Sequence, residues 1–404
     1  MNTHTRNVKN FTIDIAQSKL DDLRRRLENI NWPDDHDNTD WSYGSNKDYL
    51  QELTDYWLND YNWREQEAII NRFNHYKTVI DDIPIHFIHQ RGKGTNPTPI
   101  ILTHGWPWTF WDFHQVIGPL TDPVAYGGTA DESFDVVVPS LPGFGFSTPI
   151  PRSGIHWGTT ADLWVKLMRD YLGYDKFAAH GGDWGSMVTA QLGHKYPQHL
   201  IGLHLTNAFP IPGFSPDRPW SMSALTIPLD ATASEEAKYK ALEWEKKFSA
   251  HLCAQMLSPQ TLAYGMHDSP LGLAAWLIER RRSWGDCNGD VESRFSKDHL
   301  LNTVMIYWLT NSFVSSARFY QEAARFNWTP EHNDHPVVSA PTSLSLFEYD
   351  LPPSPLNWTP MFYNLSKQTI HKRGGHFGAA EEPKQVVNDI RAHFAALRAT
   401  SSIS

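Results

Sequence analysis

The feature that most constrains this 404-residue chain is an alternation of short apolar runs and amphipathic helices that begins near residue 99. Six runs have the length and composition of buried strands, and they end in glycines or small polar residues: PIILTHG, FDVVVPS, KFAAHGG, IGLHLTNA, TSLSLFE and QTIHKRGG. Continuous apolar strands separated by helices are typical of a parallel sheet covered by helices on both faces. We therefore predict an α/β fold with a mostly parallel sheet.

The first ninety-odd residues have a different pattern. Apolar residues recur at helical spacing over residues 15–30, from Lys47 to about Asp60, and again from Trp63. Two β-rich runs then flank Asp81-Asp82, which indicates a hairpin. Residues 1–95 are therefore predicted to form an N-terminal helical extension with a hairpin.

A second interruption separates the fourth and fifth predicted strands. Residues 213–335 contain several helical patterns and no good strand. An insertion of this size is typical of a cap over the carboxyl ends of the strands, where ligands bind in open α/β sheets. We predict a helical cap at 213–335 and a sheet domain in two parts, 96–212 and 336–404.

Charge and cysteine content limit the partners and the cellular compartment that we expect for the protein. The net charge is −10 with a pI near 6.0, so nucleic acid and anionic lipid are not expected partners. The one basic cluster, Arg280 to Arg282, is interpreted as a solvated helix face. Two cysteines are too few for a disulfide framework, and the N-terminus lacks an apolar run of anchor length, so we expect a cytoplasmic protein without a membrane anchor.

The strongest local motif is Gly181-Gly182-Asp183-Trp184-Gly185, which follows an apolar strand and opens a helix. Its layout of small residues around a central nucleophile is that of a nucleophile elbow, with aspartate in place of serine. A carboxylate at this position attacks saturated, electrophilic carbon and leaves an alkyl ester on the enzyme. The alternative is that Asp183 only caps the following helix, where aspartate is favoured.

A second motif, His104-Gly105-Trp106-Pro107-Trp108, ends the first parallel strand. A loop here can direct the backbone N–H of Trp106 toward the same point as the N–H of Trp184, forming an oxyanion hole. The alternative is an ordinary strand-to-helix turn. His104 is expected to satisfy local backbone groups, and we place it with Pro107 and Trp108 along the pocket.

A third motif places His376 in a glycine-framed loop after the last strand, where an imidazole can act as a base on water. Its position after a nucleophile and an acid matches the order of triad residues in hydrolases. The acid that orients it is predicted to be Asp350, with Glu348 two residues earlier as the alternative. The end of the preceding strand, another place for such an acid, carries Asn207, which has no carboxylate.

Neither a metal nor a cofactor is expected. His86 and His89 lie on a strand, and His332 and His335 lie on a polar loop, but neither pair has a matching second cluster at ligand spacing. The chain also lacks a phosphate-binding glycine loop and a dinucleotide fingerprint.

The combined motifs resemble the α/β-hydrolase superfamily, and within it the microsomal-type epoxide hydrolases with their N-terminal extension. The matching segments are HGWPW, PSLPGFGFS, GGDWGS, HDSPLGLAAWLIE, RFYQE and GGHFGAAEEP, together with WREQEAIINRFNHY and IHFIH in the extension. The resemblance implies Asp183 as nucleophile, His376 as base, Asp350 as acid, and Trp106 and Trp184 as oxyanion-hole donors.

The resemblance also implies two cap tyrosines that donate hydrogen bonds to the epoxide oxygen. Tyr320 in RFYQE matches one of them, and His251 stands where the family would place the other. Tyr239 and Tyr264 are the nearest substitutes, although neither is in register. Trp108 is a further departure, since the family often has glycine after the proline, and it is expected to narrow the pocket.

These observations predict an epoxide hydrolase that converts a small lipophilic epoxide to a vicinal diol through an ester on Asp183. The alternatives are another aspartate-nucleophile hydrolase, a ring-opening or rearranging enzyme of natural-product metabolism, and a ligand-binding protein without turnover. The only macromolecular partner that we consider is a second copy of this chain, in a homodimer. Seventeen tryptophans, many of them in the motifs and the cap, indicate an aromatic-walled cavity, and the four in the extension are expected to pack against the main domain.

Overall fold

A computed structural model describes residues 7–209, 234–350 and 358–401. Nine strands form one sheet in the order β1-β2-β3-β5-β4-β6-β7-β8-β9. Their bounds are β1 Lys9–Phe11, β2 His75–Ile80, β3 Ile83–Gln90, β4 Thr98–Thr103, β5 Phe134–Pro139, β6 Phe177–Gly181, β7 Leu200–Leu205, β8 Val338–Phe347 and β9 Tyr363–His371. All six apolar runs of the sequence are strands, and β4 to β9 pair in parallel.

The helices alternate with the strands as predicted. Their bounds are α1 Gln17–Glu28, α2 Lys47–Asn59, α3 Trp63–Ile70, α4 His114–Thr121, α5 Trp157–Val165, α6 Trp184–Lys195, α7 Glu235–Phe248, α8 Ala250–Leu257, α9 Pro259–Asp268, α10 Pro270–Trp284, α11 Lys297–Thr310, α12 Phe313–Arg325, α13 Thr359–Phe362, α14 Gly378–Glu381 and α15 Pro383–Ser401. A π-helical turn, Lys166–Tyr171, extends α5. Every residue of β5 and β6 is buried, so both faces at the centre of the sheet are covered.

The predicted hairpin is present, and it is part of the main sheet. β2 and β3 pair in antiparallel register around Asp81 and Asp82, which both adopt positive φ, as a tight hairpin turn requires. β3 then pairs with β5. The hairpin therefore continues the sheet of the main domain, although the sequence pattern grouped it with the helical extension.

Helices α7 to α12 follow β7 and precede β8, and they form the described part of the cap. Residues 234–335 contain no strand, in agreement with the sequence pattern, while residues 213–233 of the predicted cap lie outside the described residues. In the described part of the chain, no helix is long and apolar enough to cross a bilayer.

The helical extension packs against the cap. Helices α1 and α2 contact α10, and α2 also contacts α11. Polar contacts join the same elements, among them Tyr56 to Asp298 (2.9 Å) and Tyr61 to Asn302 (2.7 Å). Of the four tryptophans of the extension that we predict to pack against the main domain, Trp57 and Trp63 are buried and Trp32 and Trp41 are partly exposed. The contacts of α1 and α2 show that the extension also packs against the cap.

Candidate active site

Asp183 occupies a strained turn between β6 and α6. Its backbone has φ 53° and ψ −125°, a conformation that is costly for a residue with a side chain. A Cβ atom at Gly185 would overlap the Thr103 carbonyl oxygen, so the turn requires glycine there. The Asp183 side chain makes no cap hydrogen bond to α6. The geometry therefore matches a nucleophile elbow and does not match the alternative of a helix cap.

The loop after β4 contacts the carboxylate of Asp183. The Trp106 N–H donates to Asp183 Oδ1 at 2.8 Å. A Cβ atom at Gly105 would overlap the same carboxylate, so glycine lets the loop approach this closely. Trp184 begins α6, and its ring lies 4.7 Å from that of Tyr320. One of the two expected oxyanion donors is thus seen in direct contact with the candidate nucleophile.

His376 lies between two carboxylates. Its Nδ1 is 2.9 Å from Asp350 Oδ1, and its Nε2 is 3.4 Å from Asp183 Oδ2. Its backbone N–H donates to the Trp284 carbonyl at 3.0 Å. Glu348, the alternative acid, is exposed and does not take part in this cluster. Asp350 is the acid that contacts the imidazole because the chain turns immediately after β8.

The two carboxylates determine the charge of His376. Burial opposes the imidazolium, but the charge of Asp350, hydrogen bonds to Asp183 and Asp350, and the charge of Asp183 together raise the pKa of His376 to about 10. With Asp183 ionised, His376 is therefore positively charged at neutral pH.

Asn207 connects Asp183 to Asp350 through its side chain, a role that the sequence did not reveal. Its side-chain oxygen accepts from the Asp183 N–H at 2.6 Å, and its amide group donates to Asp350 Oδ2. The signal was its place at the end of β7, beside the elbow. The residue type gave no signal, because an amide at a strand end is not a group that can take the acid's role.

Two buried side chains of the cap pack against Trp106, the residue whose N–H contacts Asp183. Tyr320 is 2% exposed, and its hydroxyl has no hydrogen-bond acceptor within the described part of the chain. Burial, and next the charge of Asp183, raise the pKa of Tyr320, so the phenol stays protonated. The ring of His251 lies 5.3 Å from that of Tyr320 and is stacked on Trp106 at 5.2 Å.

His251 is a neutral imidazole in these surroundings. Burial, followed by the positive charges of Arg280 and His376, lowers its pKa well below the ordinary value. Tyr239 and Tyr264, the other candidates for a second donor, are 64% and 71% exposed. They are wrong as candidates, because their helices α7 and α9 turn these side chains toward solvent.

The three predicted pocket residues have different surroundings. Trp108 is fully buried, and its ring lies 5.7 Å from that of His376. The Pro107 carbonyl accepts a hydrogen bond from Arg281 at 3.3 Å. His104 is also fully buried, and its Nε2 accepts from the Leu141 N–H at 3.0 Å, which agrees with the expected local role.

The interpretation of Arg280 to Arg282 as a solvated face is wrong for the first two residues. Arg280 and Arg281 are 5% and 1% exposed. Arg281 pairs with the fully buried carboxylate of Asp112 at 2.7 Å. The error arose because three consecutive cations on an isolated helix resemble a polar face, and their buried partner is distant in sequence.

Glu381 is a second buried acid that the sequence did not single out. Its carboxylate accepts from the backbone N–H groups of Gly375, Phe377 and Asp286, at 3.0, 2.9 and 2.8 Å. Burial raises its pKa to about 7, although the three N–H donors favour the charged form. It therefore ties the loop that carries His376 to the end of cap helix α10.

Within the described residues, no group of three or more histidines, cysteines or carboxylates has the arrangement of a metal site. The histidines considered from the sequence contact protein groups instead. His86 Nε2 lies 2.9 Å from His75 Nδ1, and His332 Nε2 lies 3.1 Å from the His194 carbonyl.

Comparison with known proteins places this geometry in a family. The model described as "Epoxide hydrolase N terminus" matches residues 8–113, and the model of the alpha/beta hydrolase fold matches residues 98–233. A relative from Stigmatella aurantiaca is 40% identical over 394 residues, which cover 96% of this chain and 85% of the relative. Epoxide hydrolase 1 of Oryctolagus cuniculus is 32% identical over 407 residues, covering 95% and 88%.

Solved structures agree with the sequence comparisons. The juvenile hormone epoxide hydrolase of the silkworm Bombyx mori superposes with a TM-score of 0.80 and 26% identity, covering 97% of this chain and 94% of that one. The Aspergillus niger epoxide hydrolase gives a TM-score of 0.78 and 26% identity, covering 97% of both chains. The chain therefore has the α/β-hydrolase fold and belongs to the epoxide hydrolase family of hydrolases.

Proposed function

We propose that the protein opens a small lipophilic epoxide to a vicinal diol through a covalent ester on Asp183. The observation that carries this proposal is the position of His376 between the carboxylates of Asp183 and Asp350. A carboxylate nucleophile, a base and a protonated phenol then face one another in a water-poor, aromatic site. The relatives are named epoxide hydrolases, and this supports an epoxide as the substrate.

In the first step, Asp183 attacks the less hindered carbon of the epoxide. A bond forms between a carboxylate oxygen and that carbon, and the bond from this carbon to the ring oxygen breaks. The oxygen takes up negative charge, which the Tyr320 hydroxyl stabilises by donating a hydrogen bond and then a proton. His251 is positioned to donate as well, because its ring packs beside that of Tyr320.

The second step hydrolyses the ester. Alkylation neutralises Asp183, which removes one of the two charges that raise the pKa of His376. The imidazole can then take a proton from water, and the water oxygen attacks the ester carbonyl carbon. The resulting oxyanion is stabilised by the Trp106 N–H, which already donates to Asp183 Oδ1, and by the N–H of Trp184. The bond between that carbon and the diol oxygen then breaks, the diol oxygen takes the proton held by His376, and the carboxyl proton left on Asp183 returns to the Tyr320 phenolate.

Isotope labelling tests the covalent route. A single turnover of styrene oxide in ¹⁸O-water is expected to place the label in the Asp183 carboxylate, because water attacks the ester carbonyl. Peptide mass spectrometry of the recovered enzyme measures the label. Direct appearance of ¹⁸O in the diol, with none in Asp183, would contradict the proposal.

A trapping variant gives the matched control. His376→Gln keeps Asp183 and Tyr320 but removes the base, so the ester is expected to accumulate as a mass adduct on the peptide that contains Asp183. The double variant with Asp183→Asn should show no adduct. Sustained turnover by His376→Gln without an adduct would exclude His376 as the base.

One observation favours a second reaction of the same nucleophile. The indole N–H groups of Trp106 and Trp284 are buried and have no hydrogen-bond acceptor within the described residues. Such donors can hold a leaving halide, so an alkyl halide is the alternative electrophile. A panel of short haloalkanes, assayed for halide release beside styrene oxide, separates the two reactions.

A further inference from the structure

The base loop, residues 374–377, carries His376 and is bound along its backbone by a buried carboxylate. Glu381 Oε2 accepts from the Gly375 N–H at 3.0 Å, and Glu381 Oε1 accepts from the Phe377 N–H at 2.9 Å. These two donors belong to the residues immediately before and after His376. Glu381 is 8% exposed, so few water molecules compete for its oxygens. A single side chain therefore fixes the backbone on both sides of the proposed base.

The end of cap helix α10 holds the rest of the base loop. The His376 N–H donates to the Trp284 carbonyl at 3.0 Å, and the Gly374 N–H donates to Asp286 Oδ2 at 2.9 Å. Glu381 Oε2 also accepts from the Asp286 N–H at 2.8 Å, so this oxygen is shared between the cap and the loop. Together these five hydrogen bonds form a clamp in which every backbone N–H of the base loop has an acceptor.

Two further contacts show how closely the base loop and the cap approach each other. Arg294 Nη2 lies 2.6 Å from Asp286 Oδ2, the oxygen that also accepts from the Gly374 N–H. A Cβ atom at Gly375 would lie 2.5 Å from the Trp284 carbonyl oxygen, so only glycine allows this approach. The clamp is therefore supported by a charged side chain of the cap and by the absence of a side chain in the loop.

The clamp is placed to act on the position of the imidazole. The groups that raise the pKa of His376 are Asp350 and Asp183, both of which contact its ring. Glu381 instead accepts from backbone N–H groups. A general base must lie within hydrogen-bond reach of the water that it activates, and a displacement of about 1 Å can cost a factor of about 100 in rate.

We propose that Glu381 is a positioning residue for the second chemical step, because it holds His376 where the imidazole can activate water. This inference rests on the proposed function, since it assigns a residue to hydrolysis of the ester. The first step uses Asp183 and Tyr320, neither of which takes part in the clamp. Loss of Glu381 should therefore slow ester hydrolysis far more than alkylation. Loss of Asp286, which belongs to the cap, should have the same selective effect.

Single-turnover kinetics with styrene oxide measure the two steps separately. At about pH 8.5 Glu381 is ionised, because its pKa is about 7. Glu381→Gln keeps the size of the side chain but turns an NH2 group toward an N–H donor. We expect ester hydrolysis to fall about 10-fold to 100-fold and alkylation to stay within about 3-fold of wild type. A residue needed only for stability would not separate the two steps. A loss in alkylation as large as that in hydrolysis, or no loss in hydrolysis, would overturn the inference.

Two variants serve as controls. Glu382→Gln removes the neighbouring carboxylate, which accepts from Arg294 and not from the base loop, and both steps should stay within about 3-fold of wild type. Asp286→Ala removes the acceptor of the Gly374 N–H and should repeat the selective loss of ester hydrolysis. It also tests the clamp if Glu381→Gln does not fold. Equal rates of ester hydrolysis in Asp286→Ala and wild type would exclude a role for the cap.

Hydrogen exchange separates this inference from the proposed function, because it needs no substrate. In Glu381→Gln the peptide that contains the base loop should exchange at least about 10-fold faster than in wild type, since two N–H groups lose their acceptor. A peptide of strand β6 should exchange at the wild-type rate. Faster exchange of the base loop in an enzyme that forms no ester would refute the proposed function and leave the clamp standing. Unchanged exchange of the base loop would refute the clamp itself.

Discussion

Asn207 shows how much of the candidate site depends on a side chain without catalytic chemistry of its own. It accepts from the backbone N–H of the strained Asp183 and donates to the carboxylate that contacts His376. Its two hydrogen bonds therefore hold nucleophile and acid at fixed positions relative to each other. Positions of this kind are hard to recognise in a sequence, because an asparagine at a strand end has many ordinary uses.

Substitution of Asn207 should affect both chemical steps. Asn207→Ala removes the acceptor for Asp183 and the donor for Asp350, and we expect kcat to fall about 10-fold to 100-fold, as loss of one or two such bonds implies. Asn207→Asp keeps the acceptor but places a second carboxylate against Asp350. Single-turnover kinetics should therefore show alkylation closer to wild type in Asn207→Asp than in Asn207→Ala. Equal alkylation rates in the two variants would show that the hydrogen bond from the Asp183 N–H to Asn207 does not support alkylation.

The pH dependence of the second step follows from the charges around His376. Asp350 and Asp183 raise its pKa in the free enzyme. On the proposed mechanism, the ester removes the charge of Asp183, so the pKa of His376 should then fall. Because the base must be neutral, ester hydrolysis should speed up with rising pH until the His376 of the intermediate has lost its proton. Asp350→Asn removes a raising charge, so the midpoint should move to lower pH while the maximum rate falls.

Stopped-flow tryptophan fluorescence between about pH 5 and 9, a range that brackets the ordinary histidine pKa, measures this step. Glu348→Gln is the matched control, since it removes an exposed carboxylate two residues away and should leave the midpoint in place. A hydrolysis rate independent of pH over this range would be inconsistent with a histidine base.

At the scale of elements, cap helix α10 is fixed to the sheet domain through a buried ion pair. Arg281 of this helix contacts Asp112 at 2.7 Å and the Pro107 carbonyl at 3.3 Å, and Pro107 is next to Trp106, whose N–H donates to Asp183 Oδ1. Glu381 joins the end of the same helix to the loop of His376. Helix α10 thus contacts the loop of Pro107 and is joined to the loop of His376, although these two loops are far apart in sequence.

Breaking the ion pair should destabilise the fold. Asp112→Asn leaves the guanidinium of Arg281 buried without its counter-charge, and we expect the free energy of unfolding to fall by about 3–5 kcal/mol. Urea denaturation followed by fluorescence measures the change. Arg281→Met in the same background should recover part of the loss, because it removes the unpaired charge. Arg282→Met, on the same helix but partly exposed, serves as control. No loss in Asp112→Asn would show that the pair contributes little.

Across the whole molecule, polar contacts join the helices of the extension to the cap. Asp298 of α11 receives hydrogen bonds from Tyr56 of α2 and from Gln66 of α3, at 2.9 and 3.2 Å. Lys19 of α1 donates to the Leu309 carbonyl at 2.8 Å. The extension is therefore placed to hold the cap over the active site.

Asp298→Ala should weaken the packing of the extension against the cap. It removes the acceptor for Tyr56 and Gln66, so we expect a loss of about 1–3 kcal/mol in the free energy of unfolding and faster proteolysis within the extension. Thermal unfolding and limited trypsin digestion measure both effects. Glu52→Ala, which breaks an exposed ion pair with Lys297, should change stability by less than about 1 kcal/mol. Equal effects of the two variants would mean that Asp298 has no special role.

Local patterns in the sequence were enough to predict the six parallel strands, the hairpin, the helical cap and the candidate triad of Asp183, Asp350 and His376. Strands and elbows are specified by local periodicity and by small residues in tight turns, so they can be read along the chain. Only the tertiary structure showed that Arg280 and Arg281 are buried, that Asn207 and Glu381 tie the site together, and that the extension covers the cap. These features depend on partners up to hundreds of positions away, and hydrogen bonds and charge pairs across such distances leave no local periodicity in the sequence.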